Sequence, residues 1–374
     1  MEFGIHQQIL LSVFGLGAVM GAVANKTNFC TMGAVSDWVN MEDKGRLRAW
    51  LFAIAVAMAG VLALEMLGKI NLSGTTFPPY RTANLAWLRN VFGGLLFGIG
   101  MTLGSGCGNK TLVRIGGGNL KSLVVLAIAA TMAYLMLWTN FYALAFDSWM
   151  SPWTINLGSR GIPNQTVYGI LGGLVGAEGN GLHLAVGIVV VAALLAYIFS
   201  SADFRSNRDH IIGGAVVGLV VVAGWYLTGS AMGTEWKEWA EMADVPPSRV
   251  EVQSFTFISP MGDAARYLMD PTNFSLVNFG IAALTGVIVG SLIYALVARS
   301  FRIEWFVNFG DFANHAIGAV LMGVGGVLSM GCTVGQGITG VSTLAVGSML
   351  TLVAIVAGAA GTMKYQYWRM MQEA

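Results

Sequence analysis

The sequence predicts an all-α polytopic membrane protein, with roughly 8–10 spanning helices and additional re-entrant, glycine-rich half-helices. Three observations carry that reading. Hydrophobic residues fill 55% of the 374 positions and charged residues only 10%, against roughly 25% charged in soluble domains. Uncharged apolar stretches recur at 49–64, 123–146, 182–200, 211–225, 274–298 and 342–363, most of them close to the roughly 20 residues a spanning helix needs. Fifty glycines stand beside eight prolines, the usage expected where glycine lets membrane helices pack closely.

In chain order, 9–24 reads as the first span, with Gly17 and Gly21 on one face. Its apolar run lacks the basic flank of a signal peptide. Residues 34–40 suit a short helix. The charged loop 42–48 has more Lys and Arg than acid, which places it on the cytoplasmic side. Residues 49–67 span, and 69–89 form a loop. The glycine-rich run 90–105 is about 24 Å long as a helix, short for a core of roughly 30 Å, so it reads as a half-helix. Residues 120–146 span. The loop 147–165, with Trp149 and Trp153, reads as extracytoplasmic, and 167–177 is a second re-entrant candidate. Residues 182–200 and 211–227 span on either side of a loop with Arg205 and Arg208. The polar stretch 229–271 lacks a positive excess and reads as extracytoplasmic. Residues 274–298 span inward to Arg299 and Arg302, 313–330 is a second glycine-rich run, and 342–363 is the last span, ending at Lys364 and Arg369. The net charge of +1 gives no case for nucleic-acid binding.

The two glycine-rich runs form an internal repeat. Gly93, Gly98, Gly100, Gly106 and Cys107 stand 225 positions before Gly318, Gly323, Gly325, Gly331 and Cys332. Each cysteine is followed by a polar, glycine-containing turn, 109–121 or 333–342. The basic loops make the first run point inward and the second outward, the arrangement of inverted-repeat transporters. Gly286 and Gly290 faintly echo Gly17 and Gly21, but by the same charge rule both spans run inward. The expected organisation is a first membrane repeat at 1–146 with Cys30 and Cys107, a central membrane segment at 147–228, the polar insert at 229–271, and a second repeat at 272–374 with Cys332.

Two of the three cysteines of the chain lie at these equivalent points, the third, Cys30, follows the first apolar stretch, and none is in a CxxC. A disulfide framework or a metal site is therefore not indicated. Irregular backbone at membrane depth persists only when buried in protein or lining a wet cavity, and its free N–H groups can hold an anion. A thiol adds a weak donor and a polarisable sulfur. Neutral donors suit a permeant that must leave as readily as it enters. Cys30, Cys107 and Cys332, with Gly106, Gly108, Asn109, Lys110, Gly331, Thr333 and Gln336, are thus candidates for binding a small, soft, sulfur-containing anion. The plainer alternatives are a small buried hydrophobe for each cysteine, helix packing for the glycines, and loop charges that set topology for Lys26, Lys110 and Arg114. Glu65, Glu178, His183 and His315, near span ends, are open to a proton-coupling role or to simple interfacial placement.

At these residues the sequence resembles the YeeE/YedE family of bacterial membrane proteins. The likeness rests on 28–34 (Asn-Phe-Cys-Thr-Met-Gly-Ala) with Asp37, on Phe97-Gly98-x-Gly100 leading to Gly104-x-Gly106-Cys107, and on Gly323-x-Gly325 leading to Gly331-Cys332-x2-Gly335-x4-Gly340. The resemblance implies uptake of thiosulfate across the inner membrane by an hourglass-shaped fold. It implies three pore-facing thiols that pass the anion inward through S–H···S hydrogen bonds, no cofactor, no enzymatic step, and a cytoplasmic sulfur-carrier protein as the partner that draws the product away. The turn Gly108-Asn109-Lys110-Thr111 departs from the small-residue type associated with thiosulfate carriers, so other sulfur species and selenium compounds stay open. A membrane sulfurtransferase forming a cysteine persulfide is a second class, with Lys110 its one obvious activating neighbour. A Cu(I) carrier is a third, drawing on Met32, Met101 and Met330.

Overall fold

The computed structural model describes residues 4–72, 74, 76–176 and 179–373. Glu178 and the last residue of the 167–177 stretch lie outside them. Inside a bilayer the backbone must satisfy its own hydrogen bonds, and the chain does so with helices. Nine helical stretches among the described residues are long and apolar enough to cross.

The elements are α1 (Ile5–Lys26), α2 (Thr31–Met41), α3 (Gly45–Met66), α4 (Trp87–Leu103), α5 (Gly108–Gly116), α6 (Leu120–Trp138), α7 (Ser148–Met150), α8 (Val167–Val175), α9 (Asn180–Phe199), α10 (Ala202–Ser206), α11 (Arg208–Gly229), α12 (Ala231–Met242), α13 (Ile258–Met269), α14 (Phe279–Val297), α15 (Phe309–Leu328) and α16 (Val346–Glu373). Strands are vestigial: β1 (Thr76–Phe77) pairs in parallel with β4 (Val252–Gln253), and β2 (Asn84–Leu85) antiparallel with β3 (Ile155–Asn156). These two clips tie the loop after α3 to the segments after α12 and α7.

Three local expectations change. The stretches after Cys107 and Cys332 are not turns. Residues 108–116 form α5, and 333–343 are helical, with π geometry over Gly335–Gly340 and a 3-10 turn over Val341–Thr343. Their Gly, Asn and Thr content reads as turn-like, but buried amides at membrane depth have no water to bond and wind into helix instead. The span from 120 stops at Trp138, not 146, and the chain then bends through a π turn at Ala143–Asp147. Within 229–271, residues 254–263 sink into the bundle: Phe255 and Phe257 are fully covered, and Ile258 and Met261 nearly so.

The Arg302 amide donates to the Gly117 carbonyl and the Leu120 amide to Glu304, while His210 abuts Gly45. These contacts gather the ends carrying Arg46, Arg48, Arg205, Arg208, Arg299 and Arg302 on one face, here the basic face. The acidic helix α12 and the strand clips occupy the other.

Glycine seams set the packing. A methyl at Gly93 would sit 2.8 Å from the Gly325 carbonyl, and one at Gly100 2.7 Å from that of Gly318; a methyl at Gly325 or Gly318 would in turn lie 2.6 or 2.7 Å from the carbonyls of Gly93 or Gly100. The pattern is reciprocal and antiparallel, as a two-fold between α4 and α15 requires. Gly17 faces the Ala283 carbonyl at 2.7 Å, so α1 and α14 run parallel side by side. The echo between Gly17/Gly21 and Gly286/Gly290 is therefore a contact, not an equivalence. The counterpart of α1 is α11. Gly214 and Gly218 lie over the Ala49 and Ala53 carbonyls of α3, as Gly17 and Gly21 lie over Ala283 and Val287 of α14. Four segments thus share one plan of long helix, turn, short helix and long helix: α1–α3, α4–α6, α11–α14 (with α12 as an insertion) and α15–α16.

Candidate functional site

Three of the four turns are alike atom for atom in their backbone bonding. The long helix ends in a 6→1 hydrogen bond: Phe29 to the Ala24 carbonyl at 3.1 Å, Gly106 to Met101 at 2.9 Å, Gly331 to Gly326 at 2.7 Å. This bond marks a Schellman ending, whose preceding residue must be left-handed. Those residues are Asn28, Ser105 and Met330, at φ of 52°, 57° and 60°. Two positions later comes a cysteine, which is the N-cap of the short helix. The carbonyls of Cys30, Cys107 and Cys332 accept from Ala34, Thr111 and Gln336 at 3.0, 2.9 and 2.8 Å. The Cys30 and Cys332 sulfurs also accept from the amides three residues on, Gly33 and Gly335, each at 3.4 Å. Each thiol is therefore fixed at a helix N-terminus, where partial positive charge gathers. In the fourth segment the N-cap of α13 is Phe257.

All three cysteines are free and buried. Cys30 and Cys107 are side-chain neighbours, and the Thr333 side chain is a further neighbour of Cys107. Cys332 precedes Thr333 and has the Thr256 hydroxyl beside it. Thr333, the residue after Cys332, therefore links the first two cysteines to the third. Four side-chain atoms near the cysteines are buried without a hydrogen-bond partner: Asn109 Oδ1, Thr333 Oγ1, Gln336 Oε1 and Thr256 Oγ1. An unmet buried polar group costs about 1–3 kcal/mol; of these four, Thr333 and Thr256 have a thiol alongside, whereas Asn109 Oδ1 and Gln336 Oε1 have no partner of any kind among the described residues.

The other expected residues divide. Gln336 Nε2 donates to the Ser329 carbonyl at 2.5 Å and braces the turn before Cys332. Gly331 sits against Gln336, whereas a methyl at Gly106 or Gly108 would meet only side-chain atoms, at 3.4 Å or more. The packing explanation that holds for Gly93, Gly100, Gly318 and Gly325 does not extend to those two. Lys110 Nζ donates to Asn28 Oδ1 at 3.0 Å, which joins the first two turns, and Arg114 Nη1 donates to the Ser105 carbonyl at 2.6 Å. Glu65 and His183 lie apart from the cysteines, where Glu65 takes both Arg81 amino groups at 2.6 and 2.9 Å and His183 stacks on Tyr168 at 4.0 Å between ring centres. These residues line a cavity of about 610 Å³. His315 pairs with Asp311 on the basic face, beside Lys121.

Two contributors had no mark in the sequence reading. Thr256 belongs to the run 254–262, Ser-Phe-Thr-Phe-Ile-Ser-Pro-Met-Gly, which carries no charge within an otherwise charged insert; that gap was its available signal. Tyr80 donates to the Gly335 carbonyl at 2.8 Å and packs edge-on to Trp225. Burial raises the Tyr80 phenol pKa well above its usual value, so the hydroxyl stays a donor.

A family model described as sulphur transport matches residues 26–361, a span that holds every cysteine turn. The thiosulfate transporter TsuA of Escherichia coli (strain K12) is 24% identical over 369 residues, covering 94% of this chain and 92% of that protein. The thiosulfate transporter TsuA of Spirochaeta thermophila is 26% identical over 354 residues, covering 92% and 94%. Cysteine turns, glycine seams and a family match over nearly the whole length agree: the chain belongs to the sulphur transport (YeeE/YedE) family.

Proposed function

We propose that this protein carries thiosulfate, or a small sulfur-containing anion like it, across the membrane from the acidic to the basic face. The anion passes Cys332, Cys107 and Cys30 in turn, held at each by the thiol S–H and by neighbouring hydrogen-bond donors. The observation that carries the reading is the threefold recurrence of one turn, each copy fixing a buried thiol at a helix N-terminus. Thr333 bridges the gap between Cys332 and Cys107. Gly106, Gly108 and Gly331 keep the backbone open at the thiols, and Asn109 and Gln336 contribute polar atoms that take part when the file is occupied. Neutral donors replace the hydration shell without trapping the ion. By the positive-inside rule the basic face is cytoplasmic, which places the C-terminus inside and the acidic insert outside, in a multi-pass inner-membrane protein. The cavity at Glu65, Arg81 and His183 then opens outward. Transport leaves the anion chemically unchanged, and a sulfur-carrier protein on the cytoplasmic side would draw it away.

The test is growth. Cells lacking other thiosulfate uptake grow with thiosulfate as sole sulfur source when they express this protein, and stop when Cys107 is replaced by alanine. Equal growth of the empty-vector control, or full growth of Cys107→Ala, contradicts the proposal. A parallel panel with selenium-containing and other sulfur anions fixes the range of substrates.

A further inference from the structure

The three cysteine turns share a backbone but not a charge. Three residues after each cysteine a polar group covers the helix start, and it differs at each stage. At Cys332 the position is Gly335, and the Thr256 hydroxyl fills the space beside it. At Cys30 it is Gly33, filled by the Arg46 guanidinium, which Asp37 neutralises through two hydrogen bonds. At Cys107 it is Lys110 itself. The charged and ionisable groups that act on it most strongly are the thiols of Cys30 and Cys107 and the guanidinium groups of Arg114 and Arg46. Among the described residues, no carboxylate lies within ion-pair distance of Lys110 or Arg114. Both cations spend their hydrogen bonds on neutral oxygens, Asn28 Oδ1 and the Ser105 carbonyl.

We infer that Lys110 and Arg114 form a charged anion site at the basic-face end of the thiol file, suited to a doubly charged sulfur oxyanion. The inference rests on the transport reading and deepens it. Two uncompensated like charges side by side are unfavourable in a partly buried place, and an anion between them and the Cys30–Cys107 thiol pair removes that repulsion. Asn109, the residue before Lys110 in α5, leaves Oδ1 buried and unpartnered, a second sign of a missing occupant. The outer stage at Cys332 has a hydroxyl in the corresponding position, so the path is electrostatically polarised. A dianion meets neutral donors first and fixed positive charge last, which favours inward movement and discriminates by charge rather than by size.

Charge discrimination has a numerical signature. A dianion feels each removed cation twice as strongly as a monoanion. The loss factor for a dianion is therefore the square of the factor for an isosteric monoanion. Thiosulfate and methanethiosulfonate make such a pair, with a methyl group in place of one oxygen. In proteoliposomes, Lys110→Gln is expected to lower kcat/KM about tenfold for methanethiosulfonate and about a hundredfold for thiosulfate, and Lys110→Arg to restore the preference. Equal factors for the two ions, or no loss for either, overturn the site. Binding is read separately, from the melting temperature of detergent-solubilised protein. Thiosulfate and sulfate should raise it in the wild type and less in Lys110→Gln/Arg114→Gln; no rise in the wild type overturns the site. A wild type that is stabilised by dianions but carries neither ion supports the site and instead contradicts the transport reading.

Discussion

Replacing Gly100 with alanine pushes one methyl group into the seam between α4 and α15. The new carbon would lie 2.7 Å from the Gly318 carbonyl oxygen and 2.7 Å from the Met322 amide nitrogen, where ordinary contact begins at 3.4 Å. Both neighbours are backbone, so no side chain can rotate away, and the helices must part by about 0.7 Å. Overpacking of this kind costs about 1–3 kcal/mol. The displaced backbone is that of the cysteine turn itself, because Met101, the next residue, accepts the 6→1 bond from Gly106. Gly100→Ala should therefore lower the melting temperature in detergent, followed by tryptophan fluorescence, and reduce thiosulfate uptake with it. Gly361→Ala is the control: no atom lies within 4 Å of its methyl, and alanine favours a helix over glycine by up to about 1 kcal/mol. Because Gly318 faces Gly100 across the same gap, the double replacement should cost less than the two single costs added. If Gly100→Ala melts like Gly361→Ala and transports normally, the seam does not hold the turn.

Other consequences can be measured alongside. Ser105→Gly and Met330→Gly should each raise stability by roughly 0.5–1 kcal/mol in chemical unfolding, since glycine accepts a left-handed backbone without strain; a loss at either site would mean its side chain matters more than its φ. Tyr80→Phe leaves the Gly335 carbonyl without its donor and should cost about 1–3 kcal/mol, while an unchanged melting curve would show another donor taking its place. Asp263 is buried and accepts from Arg249, Trp138 and Asn278 at 2.9, 3.2 and 3.0 Å. Asp263→Ala strands a buried cation and should cost about 3–5 kcal/mol, seen as poor recovery of monodisperse protein; normal recovery would argue that water substitutes for the carboxylate.

The opposed sense of two glycine-rich runs was legible in the sequence from the basic loops beside them, and a 225-residue offset marked their glycines, which pack on backbone, as a repeat. Membrane character was legible from composition. The left-handed residues were not: Asn28 suits that backbone, but Ser105 and Met330 carry no such mark, and only the hydrogen-bonded turn imposes it. The short helices after Cys107 and Cys332 were hidden by residues that favour turns in water. The match between α1 and α11 was hidden because long-range contact, rather than identity, relates their glycines. Thr256 escaped notice because charged neighbours on both sides give its segment a polar average, although Phe255 and Phe257 bury it. Lys110 was visible as a charge, but its want of a carboxylate partner emerges only in three dimensions.

The account stands most directly on uptake of labelled thiosulfate into proteoliposomes holding purified Cys332→Ala protein. Cys332 is the first thiol of the proposed path and lies in a turn with the same bonding as the other two, so its loss should leave folding intact and stop the handover. The expected result is uptake reduced to the level of protein-free liposomes, with a melting temperature close to that of the wild type. Uptake within twofold of the wild type would show that the anion crosses without the thiols.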